Sequence, residues 1–82
     1  MKFKARVTVT LKNGVLDPQG KAIQAALGSL GFAGIDAVRQ GKVFDMVVDA
    51  EDAASAETTV KASCEKLLAN MVVENYAIHI YN

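Results

Sequence analysis

The chain has one cysteine, one proline, one histidine and no tryptophan, and its only aromatics are two tyrosines and three phenylalanines. A lone Cys64 excludes an internal disulfide, so nothing covalent staples the fold. His79 stands without the cysteine or carboxylate spacing that would give three or four metal ligands, which leaves no metal site to expect. Charge of one sign is also missing: nine basic residues balance nine acidic ones and the isoelectric point is near 6.5. That balance lacks the electrostatic footprint of a nucleic-acid binder. No apolar run approaches the ~18 residues a membrane span needs. Residues 1–12 alternate charged and apolar side chains, unlike the continuous apolar segment of a signal peptide. The expectation is a cytoplasmic chain with neither nucleic-acid nor membrane partners.

What is present is apolar material, 51% of the residues. Residues 1–82 are expected to form a single domain. A domain of this size buries only about 60–65% of its unfolded surface. Without a disulfide, the remaining stability must come from tight packing or from a partner, so a homodimer or larger homo-oligomer is expected.

Phe3, Ala5, Val7, Val9 and Leu11 alternate with Lys2, Lys4, Arg6, Thr8 and Thr10, the period-two pattern of a half-buried strand. Asp17 is a good helix N-cap, and Pro18 suits the first helical position because its missing N–H would be unbonded there anyway. Ile23, Ala26, Leu27 and Leu30 then recur at helical spacing, with Gly31 as a left-handed C-cap. Gly28 inside this helix is expected to permit close packing. Residues 35–40 and 42–49 flank Gly41 and read as two strands of a hairpin. In the second, Phe44, Met46 and Val48 face one way, and Val43, Asp45, Val47 and Asp49 the other. Residues 52–69 read as one helix with Ala53, Ala56, Val60, Cys64, Leu67 and Leu68 as its buried stripe, ended by Asn70 in a left-handed conformation. Residues 76–81 make the last strand.

The order β-α-β-β-α-β predicts an α+β fold: a four-stranded antiparallel sheet with both helices on one face, ferredoxin-like. The uncovered face would carry Val43, Val47, Ala77 and Tyr81, too apolar for water alone and hence a candidate homo-oligomer face.

No constellation for chemistry emerges. Asp45, Asp49, Glu51 and Asp52 cluster in sequence, but two belong to an outward strand face and two to a helix N-terminus, where negative charge offsets the helix dipole. Lys2, Lys4, Arg6 and Lys12 form a basic stripe suited to acidic residues on another strand or chain. Asn13-Gly14 and Gly41-Lys42 lack the glycine spacing of a phosphate loop. The expectation is no catalytic residue on this chain.

One ordered set of segments carries more. Leu16-Asp17-Pro18-Gln19-Gly20, Ala26-Leu27, Val38-Arg39 with Gly41-Lys42, Cys64-Glu65-Lys66-Leu67-Leu68-Ala69-Asn70, then Val72, Glu74 and Tyr76, resemble the PurS family of phosphoribosylformylglycinamidine (FGAM) synthase subunits. The resemblance runs from about residue 4 to residue 81. Met71 departs from it, since the family usually has proline there. The resemblance implies a small non-catalytic subunit of a ligase complex in purine biosynthesis, bridging a glutaminase (PurQ) and an ATP-dependent synthetase (PurL). That complex converts formylglycinamide ribonucleotide, glutamine and ATP to FGAM, glutamate, ADP and phosphate. The small subunit would assist ammonia transfer, form dimers or larger oligomers and hold no cofactor, with ATP and magnesium used by the synthetase. Contact candidates within the matched segments are Asp17, Pro18, Gln19, Gly20, Arg39, Lys42, Asn70 and Tyr76. Two other classes share the element order: a stand-alone ACT-like regulatory module, and an acylphosphatase, which would need an arginine in the loop after the first strand that residues 11–15 lack.

Overall fold

A computed structural model describes residues 1–82. Strand β1 (Lys2–Leu11) is central, with β2 (Lys42–Asp49) and β3 (Glu74–Tyr81) antiparallel on either side, giving the order β2-β1-β3. The alternation read in β1 is realised: Phe3, Ala5, Val7 and Val9 are buried and the residues between them exposed. Helix α2 (Ala53–Ser63) covers that buried face, seating Ala56, Val60 and Cys64 on it, all fully buried. Phe44, Met46, Val48, Ile78 and Ile80 pack around this core.

The sheet has three strands, not four. Residues 33–41 take no regular secondary structure, so the predicted hairpin does not form. None of the backbone amides of residues 33–39 donates a hydrogen bond within the chain. The segment runs beside α1 (Pro18–Ser29), where the Gln24 side-chain amide donates to the Asp36 carbonyl at 2.9 Å. Gly41 is no hairpin turn residue; it is required because a β-carbon there would come within 2.5 Å of the Val9 carbonyl oxygen.

The expectation of two helices on one sheet face fails for α1. Its start and stop are as read: the Asp17 carboxylate caps it by accepting from the Gly20 amide at 2.8 Å. At its end, Gly31 at φ 93° and Phe32 close a Schellman motif onto Gly28 and Leu27. Yet α1 is not packed on the sheet and buries only Gly20. Its apolar stripe is uncovered, with Ile23 39% and Leu30 73% exposed, and Gly28 meets nothing within 4 Å. Helix α1 and residues 32–40 form an arm. The molecule measures 51 × 26 × 15 Å with a radius of gyration of 16.3 Å, against about 12 Å for a compact chain of this length.

The second helix also departs from expectation. After Ser63 the chain passes into a π-helical turn, Cys64–Leu68, in which the Ala69 amide bonds the Cys64 carbonyl five residues back. The added residue shifts everything after Cys64 around the helix axis. Ala69, 7% exposed, therefore takes the core position, while Leu67 is 83% exposed and Leu68 half-buried. Ala53 is exposed as well. Asn70 does not end the helix in a left-handed conformation, since no residue other than glycine has positive φ. Ala69 leaves the helix extended, and the Asn70 side chain accepts from the Val72 amide at 3.1 Å.

Candidate functional site

All eight candidate contact residues gather around the C-terminal end of β1. Register explains part of this: Val9 pairs with Lys42 on one side and Tyr76 on the other, and Leu11 pairs with Glu74. The chain then turns at Gly14, enters α1 at Asp17 and returns through Arg39. Leu16, Pro18, Gln19, Gln40, Lys42 and Glu74 line an open groove of about 570 Å³ at this end of the sheet.

Several of these residues are engaged in holding the chain itself. Asp17, 6% exposed, accepts from the Gly20 amide through one oxygen and from the Gln40 amide through the other, both at 2.8 Å. It thereby ties the start of α1 to the end of the arm. The Gln40 and Gly20 hydrogen bonds hold its carboxyl below the usual carboxylate range, with the Arg39 charge adding to them. Gly20 is buried, and glycine is required there because a β-carbon would overlap the Val38 carbonyl oxygen. Arg39 donates from its guanidinium to the carbonyls of Leu11, Lys12 and Val15 at 3.0–3.3 Å. That planar fork fixes the loop between β1 and α1, a task a lysine could not copy. Pro18, Gln19 and Lys42 remain exposed on the groove.

Asn70 and Tyr76 join the cluster through residues the sequence reading did not select. Glu74 accepts from the Asn70 amide at 2.6 Å, and its other oxygen lies 3.9 Å from the Lys42 ammonium. The Tyr76 hydroxyl donates to Glu65 at 2.6 Å. That hydrogen bond, then partial burial and the Glu65 charge, push the Tyr76 phenol up to about 12. Lys12 donates to the Met71 carbonyl at 2.9 Å. Glu65 and Glu74 do lie within the matched segments, which was the available signal.

The helix-free face carries Val43, Val47, Ala77 and Tyr81 as read, but not as one patch. Val43 and Ala77 flank Thr8, and Val47 and Tyr81 flank Lys4. Between these rows Arg6 pairs with Asp45 at 2.8 Å and lies opposite His79, whose ring stacks on Tyr81 at 5.3 Å. The basic stripe thus meets acidic residues of its own β2: Arg6 with Asp45, Lys2 with Asp49. Asp45 titrates below the usual range because of Arg6. Asp52 caps α2 at the Ser55 amide. Cys64 is buried, and burial with the neighbouring Glu65 charge raises its thiol, opposite to what a nucleophile needs. No three His, Cys, Asp or Glu side chains are grouped to hold a metal ion, and no helix is long and apolar enough to cross a membrane.

Fold and site define a class: a small α+β chain whose polar groups brace its own loops and whose apolar arm is left uncovered, the construction of an association subunit. Comparison with known proteins names the family. Residues 4–82 match the family described as PurS, phosphoribosylformylglycinamidine (FGAM) synthase. A PurS subunit from Mycobacterium leprae is 47% identical over 75 residues, 92% of this chain and 91% of that one. The Bacillus subtilis PurS structure superposes with a TM-score of 0.88 at 41% identity, covering 98% of this chain and 99% of that one. A chain in the structure of PurLQS from Thermotoga maritima gives a TM-score of 0.89 at 34% identity, with 98% of both chains covered. This chain belongs to the PurS family of FGAM synthase subunits.

Proposed function

We propose that this chain is the non-catalytic bridging subunit of a cytoplasmic FGAM synthase, seating a glutaminase of the PurQ kind against a synthetase of the PurL kind and assisting ammonia transfer between them. ATP and magnesium act on the synthetase, and this chain holds no cofactor. The observation that carries the reading is the uncovered arm. Ile23, Leu30, Phe32 and Ile35 are each 39–73% exposed, and α1 is not packed on the sheet or on α2. Such a surface is built to be covered. A second copy of the chain covers the arm, and the groove beside Pro18, Gln19 and Lys42, together with the exposed Leu67 and Val72 near Asn70, faces the larger subunits. Free ammonia in neutral water is mostly protonated and diffuses away, so excluding water at the handover preserves it. Family membership favours this reading over an ACT-like regulatory module.

The test is glutamine-dependent FGAM synthesis by the two larger subunits with and without this protein, beside the same reaction driven by added ammonium. Omission is expected to abolish the glutamine-driven reaction and spare the ammonium-driven one. Equal glutamine-driven rates with and without the protein reject the bridging role.

A further inference from the structure

The π-helical turn sets apolar burial against its own sequence. Continued α-helical spacing from Val60 and Cys64 would carry Leu67 and Leu68 onto the core face. The observed register seats Ala69 there beside Leu68, which packs against the core, and turns only Leu67 to solvent, 83% exposed. Burying a leucine in place of an alanine is ordinarily favourable, so the π register needs something to hold it. Helix interiors seldom adopt this register, and where they do the site is frequently a functional one.

Two side chains stand at the right place. Glu65 lies on the π turn and Tyr76 on β3, and the phenol hydroxyl donates to the Glu65 carboxylate at 2.6 Å. A hydrogen bond to an ionised acceptor is among the stronger kinds. Tyr76 is itself packed against the core, so its hydroxyl is a fixed point. Beyond the turn, the Asn70 amide is bonded by Glu74, also on β3. The strand thus grips the turn at its first residue pair and just past its end.

We infer that Tyr76 and Glu65 form a latch that holds residues 64–68 in the π register and so keeps Leu67 on the outside of the subunit. Tyr76 is then a positioning residue, acting on the turn and not on a partner directly. Released from the latch, the turn opens more often, and the Ala69 amide leaves its bond to the Cys64 carbonyl and is exposed to water before it closes again. The use of the outward Leu67 rests on the assembly reading above; the latch itself does not, and it is tested on this chain alone.

The measurement is hydrogen exchange of the Ala69 amide by NMR in the wild-type chain, Tyr76→Phe, Glu65→Ala and the double variant. The expected result is about tenfold faster exchange in each single variant, with core amides of β1 unchanged, and no further gain in the double variant, since both remove one interaction. Glu65 is exposed, so Glu65→Ala reports even if Tyr76→Phe disturbs the core. Wild-type exchange at Ala69 in either single variant, or additive effects in the double variant, overturns the latch.

Discussion

At the residue scale, Asp17 shows how one side chain can serve a helix and a distant segment together. One oxygen caps α1 and the other binds the Gln40 amide, and those bonds depress its titration. A carboxylate depressed in the folded state contributes stability that is fully present above its unfolded value of about 4 and lost as pH falls through the lower folded value. Thermal midpoints of the wild-type chain should therefore exceed those of Asp17→Ala by several degrees at neutral pH, and the gap should narrow steadily below about pH 4. A gap that is constant down to pH 2.5 would show that the charge of Asp17 contributes nothing. The two helical glycines of α1 make an opposite pair. Gly20→Ala drives a β-carbon into the Val38 carbonyl and should cost about 1–3 kcal/mol in urea unfolding. Gly28→Ala meets only open space and should stabilise by up to about 1 kcal/mol. Equal effects of the two substitutions would contradict the close approach at Gly20.

At the scale of elements, the sequence disclosed what depends on a short stretch of chain. The alternation of β1, the faces of β2, the Asp17 and Gly31 boundaries of α1 and the Asp52 start of α2 are all local signals, and the structure has each of them. Residues 35–40 read as a strand because they and residues 42–49 flank Gly41 like the arms of a hairpin, yet pairing needs a partner, and periodicity does not say where one lies. Beyond Cys64 the stripe of α2 holds for Leu68 and fails for Leu67 for a related reason: a single added residue in the turn is invisible to a pattern that assumes constant spacing. The candidate site was legible as a list of positions. Its intramolecular bonds were not, because Asp17 to Gln40, Arg39 to Lys12 and Asn70 to Glu74 depend on how segments fold back on one another.

At the scale of the whole molecule, only 10 of 82 residues are buried. With a second copy covering the arm, as proposed above, folding of so small a core is linked to self-association. Sedimentation equilibrium at micromolar concentration should return at least twice the chain mass of 8.7 kDa. The thermal midpoint should rise as protein concentration rises, by mass action on the associated folded state. A concentration-independent midpoint with the mass of one chain would mean the arm is stable uncovered.

The strand order has a temporal consequence. The strand at the centre of the sheet precedes both of its partners along the chain, and Lys4 finds its neighbour in Tyr81 while Lys2 finds its own in Asp49. No hairpin of adjacent strands exists to nucleate the sheet, and every ladder closes a long loop, a topology that slows folding. During synthesis β1 must wait, alternately apolar and unpaired, until β2 has cleared the exit tunnel to cover one edge, and longer still for β3 to cover the other. Its regular spacing of Lys2, Lys4 and Arg6 then has a second use, as charge that keeps a nascent strand from pairing with the wrong chain.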